Sequence, residues 1–228
     1  MKIVFSGLEH SIVISKEYAR TVEIENKTLF SRICSSLLSC KGNCATEPYS
    51  LWDDDGHEIS PTDAFLFISN PLMLPWDSKD LEGHLYEHIE TLLLEDESTR
   101  ASVEHLNDEL SSRLLQLTHQ INGNYAFAVE WSLKRYLKAF SFSVTRPRDG
   151  SFLENLNTFI DFCADMYLKK VLLFINLKEF LSEKDFIAFL NHLFFHKLSA
   201  VFLESSLDKN CYALEKKMVI DQCFLEIS

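Results

Sequence analysis

The clearest pattern of apolar and polar positions lies in residues 168–205. Five consecutive apolar residues, 171–175, lack the alternation of a half-exposed strand and are typical of a strand covered on both faces. Ser182, with Asp185 three residues later, is a helix N-cap signal, and 200–203 is a second apolar run. Between them, apolar residues recur at helical spacing: Phe186, Phe189, Leu190, Leu193 and Phe194. The segment therefore predicts a strand, a crossover helix and a parallel neighbouring strand, which is an α/β fold.

The first 78 residues carry a β-rich pattern with one helix. Short strand signals occur in KIVF, SIVIS and TVEIE, and residues 29–38 then follow a helical spacing. Residues 49–59, with Asp55-Gly56 at the turn, predict a hairpin. The run 64–69, AFLFIS, predicts a further strand, which ends before NPLMLPW, a segment whose asparagine and two prolines break regular structure.

Residues 79–121 contain a sustained apolar stripe with spacings of three and four. Its members are Leu81, Leu85, Ile89, Leu92, Val103, Leu106, Leu110, Leu114, Leu117 and Ile121. This pattern predicts two amphipathic helices joined near 95–98. Two interpretations stay open: an arm that packs on a partner helix or subunit, and a helix pair folded back on its own domain.

The remainder of the chain alternates short helical and strand patterns. Residues 130–140 predict a short basic helix, and 142–145 predict a strand. Residues 151–168 predict an amphipathic helix that leads into the strand at 171, and 219–227 predict a last strand.

Composition narrows the function classes. The chain has 228 residues, of which 46% are hydrophobic, so it can fill a sizeable core. It has 18 Phe but only 6 Gly, and backbone loops that cradle phosphate are glycine-rich. The P-loop pattern G-x-x-x-x-G-K-[ST] does not occur, and Asn176 stands where a P-loop hydrolase would place an acid after its strand. These features argue against a nucleotide enzyme.

Targeting signals are absent from the sequence pattern. The N-terminus lacks the apolar core of a signal peptide, and no run approaches the ~20 apolar residues of a membrane span. We therefore expect a cytoplasmic protein without membrane contact, whose 6 cysteines are reduced thiols.

Charge is distributed unevenly. The formal net charge is −12, and 77–110 hold eleven acids against Lys79 and Arg100. In contrast, 131–148 hold five bases and no acid: Lys134, Arg135, Lys138, Arg146 and Arg148. This basic segment is either a solvated helix face and loop or a set of contacts to the phosphates of duplex DNA.

Two residue patterns are candidates for metal binding. His84, Glu87 and His88 fit H-x-x-E-H, in which two histidines one helical turn apart hold zinc and the glutamate acts as base. The same residue types suit the polar face of an acidic helix, and a third ligand is not identifiable. Cys40 and Cys44, with Cys34 and His57, could form a second site, but a second closely spaced pair is missing, which favours ordinary thiols. The sequence alternative is thus a zinc-dependent hydrolase.

The order of motifs resembles one known family. KKVLLFIN, followed by FLSEKDF and then AVFLES, is similar to the small adaptation protein of type II-A CRISPR systems. FSGLE near the start and WSLKRYLKAFSFSVT before the last third extend the resemblance over nearly the whole chain.

This resemblance implies a non-enzymatic protein with two domains. An α/β head domain, degenerate P-loop-like with a largely parallel sheet, would comprise 1–78 and 141–228, and an α-helical leg domain 79–140. The family implies a homotetrameric ring that encircles double-stranded DNA and binds its ends. It also implies action beside the CRISPR integrase pair and the RNA-guided effector nuclease. We expect DNA contacts from the five bases named above, together with Lys169 and Lys170.

One departure from the family concerns calcium. The family resemblance implies an acidic calcium-binding cluster between the long helix and the short basic helix. Residues 122–130 here read NGNYAFAVE, which leaves Glu130 as the one carboxylate. Calcium takes six to eight oxygens, so weak or absent calcium dependence is expected. A protein scaffold that does not bind DNA is the remaining alternative.

Overall fold

The computed structural model describes residues 1–145 and 150–227. Its strands are β1 (Lys2–Phe5), β2 (Ile12–Val13), β3 (Ala19–Ile24), β4 (Tyr49–Trp52), β5 (Phe65–Ile68), β6 (Val171–Ile175), β7 (Ala200–Glu204), β8 (Glu215–Ile220) and β9 (Glu226–Ile227). Its α-helices are α1 (Lys27–Leu38), α2 (Pro61–Ala64), α3 (Lys79–Glu95), α4 (Glu97–Leu117), α5 (Leu133–Ala139), α6 (Phe152–Asp165) and α7 (Glu183–Phe195). The predicted DNA contacts Arg146 and Arg148 lie outside the described residues.

A six-stranded sheet has the order β5-β6-β7-β3-β8-β9. Its neighbouring strands are parallel except for β8 and β9, which are antiparallel. Strands β6 and β7 are parallel neighbours joined through α7, and the Ser182 side chain accepts a hydrogen bond from the Asp185 N–H as an N-cap. The predicted strand–helix–strand unit and the α/β class are therefore confirmed. A smaller antiparallel sheet has the order β2-β1-β4.

The core on one side of the large sheet includes α1 and the small sheet. Helix α1 begins after Asn26, whose side chain accepts hydrogen bonds from the Thr28 and Leu29 N–H groups. Ile33 and Leu37, one turn apart, are buried in the same apolar cluster as Leu173 of β6. This periodicity explains why the residues form a helix here, since four-residue spacing places the apolar side chains on one face.

Aromatic packing fills the space between the sheet and α7. Phe174 of β6 and Phe202 of β7 meet Phe186 and Phe189 of α7, with ring centroids 5.4 to 6.3 Å apart. These rings bury a large apolar area, and their tilted and edge-to-face geometries are the favoured ones for aromatic pairs. They hold α7 at a fixed position on the sheet.

The chain divides into two compact units. The sheet unit comprises Met1–Pro75 together with Arg146–Ser228, and the helical unit comprises Trp76–Thr145. Helices α3, α4 and α5 belong to the helical unit, and the two predicted long helices are confirmed, with Asp96 between them. As functional head and leg domains, 1–78 with 141–228 and 79–140 stay predictions. Within the described ranges, no helix is both long and apolar enough to cross a membrane.

Several element predictions were wrong in detail. Residues 142–145 do not form a strand: the chain turns at Ser141 (φ 52°), and the Phe142 N–H closes α5 on the Leu137 carbonyl. Residues 49–59 turn back as predicted, with hydrogen bonds from the Asp53 N–H to the His57 carbonyl and from the Ile59 N–H to the Leu51 carbonyl. The returning segment, however, forms a single bridge from Glu58 to Trp52 and no full strand, while β4 pairs with β1. The single last strand predicted at 219–227 is instead β8 and β9 joined by a turn.

Candidate functional site

The predicted basic helix is α5, within the helical unit. Leu137 is its buried residue, while Lys134, Arg135 and Lys138 are exposed. Lys134 and Lys138, at positions i and i+4, lie on one side of the short helix, and Arg135 lies about 100° around the helix from Lys134. Leu137 anchors the helix, so the charged ends of the three side chains face solvent.

Two of the α5 cations have partners within the same unit. Lys134 Nζ lies 3.2 Å from Glu87 Oε1, and both side chains are about half exposed (46% and 63%). The Nη1 group of Arg135 donates to the Glu130 carbonyl oxygen at 3.2 Å. Exposed ion pairs contribute 0–1 kcal/mol, roughly, so a phosphate can displace Glu87 at little cost.

The other described cations predicted to contact DNA lie in the sheet unit. Lys169 is exposed directly before β6, and Lys170 Nζ donates to the Thr62 carbonyl oxygen at 2.6 Å. Lys170 thus contacts the short helix α2 in the sheet unit. The structure brings Lys134, Arg135 and Lys138 together on one helix and places Lys169 and Lys170 in a different unit.

An apolar groove lies beside α5 in the helical unit. Every residue of α4 keeps partial or full exposure, although the helix carries a leucine stripe. The cavity there measures about 850 Å³, and its apolar lining residues include Leu106, Leu110, Leu114, Phe127, Tyr136 and Phe140. Of these, Leu106 and Phe140 are 62% and 71% exposed. Exposed apolar area of this extent is typical of an interaction surface.

The H-x-x-E-H residues do not assemble into a metal site. Among the described residues, groups of three metal-capable side chains with ligand atoms within 4.8 Å of one another occur at Asp161, His192 and His196 and at Asp53, Asp55 and His57. Neither His84 nor His88 belongs to such a group, and Glu87, the proposed base, pairs with Lys134. The structure therefore does not support the zinc-hydrolase alternative.

Among the described residues, neither group contains Cys34, Cys40, Cys44 or Glu130, whereas His57 lies in one of them together with two aspartates. Cys34 is buried, and burial raises the pKa of its thiol to about 12, which keeps the thiol protonated and a poor metal ligand. Glu130 is exposed shortly before α5, and its role as a calcium ligand stays a prediction.

A buried charge cluster, which the sequence did not predict, lies on the large sheet. Lys178 follows β6, and its Nζ lies 2.6 Å from Glu215 Oε1, 3.2 Å from Asp208 Oδ2 and 3.6 Å from Glu23 Oε1. Lys217 Nζ lies 3.0 Å from the same Glu23 oxygen. Burial opposes the charged form of Lys178, but the hydrogen bond and attraction from Glu215 outweigh it and raise the lysine pKa.

This cluster occupies the interior beside a strand-to-helix connection. Only Glu25 and Asn26 join β3 to α1, so the chain has no loop there that could cradle a phosphate. The nearby carboxylates of Glu23 and Glu215 would also repel an anion. These observations fit the absence of the P-loop motif from the sequence.

Glu204 ends β7 and is fully buried beside this cluster. Its Oε1 accepts the Lys178 N–H at 3.2 Å, whereas its Oε2 has no hydrogen-bond partner among the described residues. Burial raises the pKa of this carboxyl to about 8. At a pH between the ordinary pKa of a glutamate and about 8, Glu204 therefore keeps its proton in the folded protein and loses it in the unfolded chain. The resulting destabilisation is absent below that ordinary pKa, grows as pH rises, and is complete above about pH 8.

Replacing Glu204 with glutamine should stabilise the protein in a pH-dependent manner. Glutamine keeps the oxygen that accepts the Lys178 N–H but has no proton to lose. We expect a gain of about 2–4 kcal/mol in the free energy of unfolding at alkaline pH and little change at acidic pH. Urea unfolding across this pH range, with exposed Glu17→Gln as control, measures it. A gain independent of pH would contradict the assignment.

Comparisons with known proteins point to one family. The model of the family described as CRISPR-associated protein (Cas_Csn2) matches residues 44–224. The crystal structure of Stu0660 of Streptococcus thermophilus aligns with a TM-score of 0.61 at 13% identity, covering 97% of this chain and 75% of that chain. At that identity the likeness shows the fold alone. The comparison with curated proteins gave no match.

Proposed function

Because the chain belongs to the CRISPR-associated Cas_Csn2 family, whose role is the acquisition of new spacers, we propose that it binds the ends of double-stranded DNA during that process. It acts as a homotetrameric ring around the duplex and without catalysis. The CRISPR integrase pair and the RNA-guided effector nuclease are the partners proposed for it. The observation that carries the proposal is the exposed basic helix α5, set beside an apolar groove in the same unit.

The charges of α5 suit a phosphate backbone. Lys134, Arg135 and Lys138 present three cations within about one helical turn, and phosphate contacts of this kind position a protein without reading sequence. The chain as a whole carries a charge of −12, which disfavours DNA on most of its surface. Binding is therefore restricted to surfaces where bases are concentrated.

The apolar groove suits a second copy of the chain. Leu106, Leu110 and Leu114 recur at four-residue spacing on α4 and are 62%, 57% and 43% exposed. A helix with such an unpartnered stripe gains stability when another helix covers it. Assembly of copies also multiplies the α5 cations around a shared duplex, which compensates for the small number in each chain.

Neutralising α5 tests the proposed DNA contacts. The variant Lys134→Ala, Arg135→Ala, Lys138→Ala should bind linear duplex at least about tenfold more weakly at low salt. The slope of log affinity against log salt should become shallower by about 0.9 for each phosphate that the substituted side chains no longer neutralise. Fluorescence anisotropy at several salt concentrations measures both quantities.

The matched control for this variant replaces three exposed lysines of the sheet unit, Lys16, Lys27 and Lys184, with alanine. Both variants lose three positive charges, so an effect of net charge alone on the attraction to DNA would weaken binding equally in the two. Wild-type affinity and salt slope in the α5 variant would contradict the proposal. Failure of the wild-type chain to bind duplex at any salt concentration would leave the protein scaffold as the function.

A further inference from the structure

Three polar side chains converge between α6 and α7 in the sheet unit. His192 Nε2 lies 2.7 Å from Asp161 Oδ1, and His196 Nε2 lies 2.9 Å from the same oxygen. His192 lies in the last turn of α7, and His196, four residues later, is the C-cap residue of that helix; their ring centroids are 4.8 Å apart. Two imidazole nitrogens therefore point at one carboxylate oxygen, and all three ligand atoms lie within 4.8 Å of one another.

The surrounding helices hold this arrangement in place. Phe189 and Leu193 of α7 and Phe159 and Ile160 of α6 are buried, so that both helices are anchored next to the three polar residues. The side chains of His192 and His196 are 28% and 22% exposed, while Asp161 is 48% exposed. All three side chains are thus partly shielded from solvent.

We propose that Asp161, His192 and His196 bind a zinc ion. Two imidazole nitrogens and one carboxylate oxygen are a donor set that Zn²⁺ favours, and water would occupy the remaining position. With metal–ligand distances of about 2.0–2.1 Å, ligand atoms in a tetrahedral site lie about 3.3 Å apart. The observed separations of 2.7 and 2.9 Å need to widen only slightly, and the partly exposed side chains can rotate to do so.

The second group of metal-capable side chains lacks these properties. Asp53, Asp55 and His57 supply only one imidazole, and His57 N–H already donates to Asp53 Oδ1 at 2.7 Å within the turn. His57 is also 79% exposed. Two carboxylates and one exposed histidine on a surface turn are a weaker donor set for zinc, which makes this group a useful comparison.

Zinc at the proposed site would join α6 to α7. Helix α6 precedes β6 along the chain and α7 follows it, so one ion would link the two helices that flank this strand in sequence. Metal that binds the folded chain shifts the unfolding equilibrium in proportion to its affinity. A saturating metal concentration should therefore raise the melting temperature of the wild-type protein.

Cobalt binding is the first test, because Co²⁺ replaces Zn²⁺ and has visible absorption. Accessible thiols would also bind Co²⁺, so the test uses a variant with serine in place of Cys40, Cys44, Cys211 and Cys223. The buried Cys34 and Cys163 are kept. We expect one equivalent of Co²⁺ with the visible bands of a tetrahedral site and without thiolate charge-transfer absorption. Zinc should displace it stoichiometrically.

Single replacements locate the ion. His192→Gln and His196→Gln should each lower zinc affinity, measured by competition with a chromophoric chelator, at least about tenfold. His84→Gln and His57→Gln are the controls and should keep wild-type affinity. Metal-free melting curves identify any variant that has lost its fold, and Asp161→Asn provides a further variant of the same site.

Two results would overturn the proposal. One is the absence of stoichiometric Co²⁺ and Zn²⁺ binding by the folded protein, which would leave a hydrogen-bonded triad between the helices. The other is binding that survives both His192→Gln and His196→Gln. Neither result bears on DNA binding, which the α5 variant tests separately.

Discussion

Replacing Lys178 with methionine should lower the free energy of unfolding by about 3–5 kcal/mol. The lysine Nζ lies within 3.6 Å of carboxylate oxygens of Glu23, Asp208 and Glu215, and methionine retains most of the aliphatic stem without the charge. Lys217 would remain 3.0 Å from Glu23 and 3.6 Å from Asp208, but only 4.0 Å from Glu215, so the buried Glu215 carboxylate loses most of its compensation. Removal of one partner from a buried ionic cluster costs more than the original pairing gained. Chemical unfolding with urea measures the change.

The control for Lys178→Met is Lys184→Met on the exposed surface of α7, where we expect a change within about 0.5 kcal/mol. A second replacement sharpens the test. Adding Glu215→Gln to Lys178→Met removes one of the uncompensated charges, so the double variant should recover part of the loss. Wild-type stability in Lys178→Met would show that the cluster does not depend on this cation.

Local periodicity was sufficient to predict much of the sheet unit. Residues 171–175 and 200–203 are apolar runs, and the spacing between Phe186 and Leu193 specifies the intervening helix. The strand predicted at 142–145 does not form, because the backbone of Phe142 makes hydrogen bonds to other elements instead of to a neighbouring strand. There the Phe142 N–H closes the end of α5, and the Phe142 carbonyl accepts the Tyr86 hydroxyl at 3.2 Å. Such tertiary contacts override β propensity and leave no local signal.

The buried charge cluster could not be predicted from sequence because its members lie far apart along the chain. Glu23 reads as a polar position in a strand, and Lys178 as an ordinary loop lysine. Only the parallel pairing of β3 with β7 and β8 brings Glu23 beside Glu204 and Lys217 towards the same interior region. Contacts between residues on different strands can be predicted only when the order of the strands in the sheet is known, and periodicity alone does not give that order.

The candidate sites differ in how far the sequence indicates them. The basic character of α5 is visible as a run of bases, whereas the groove beside it becomes evident only when α4 is found exposed. His192 and His196 carry a detectable signal, since their four-residue spacing places both on one helix face. Asp161 carries none, because it lies on a separate helix whose position depends on packing.

The proposed ring makes a strong prediction about DNA topology. A closed ring of subunits can encircle a duplex only when a free DNA end passes through it. Linear DNA should therefore be bound, and a covalently closed circle of the same sequence should not. Leu110→Glu places a charge in the apolar groove where a second copy would pack. This variant should therefore lose both the tetramer and the preference for ends.

The most direct measurement compares binding to linear and covalently closed circular duplex of identical sequence at several salt concentrations. The mass of the free and bound protein is determined in parallel. We predict salt-sensitive binding of the linear duplex by a tetramer and no stable complex with the circle. Equal affinity for both forms, or binding by a single copy of the chain, would contradict the account.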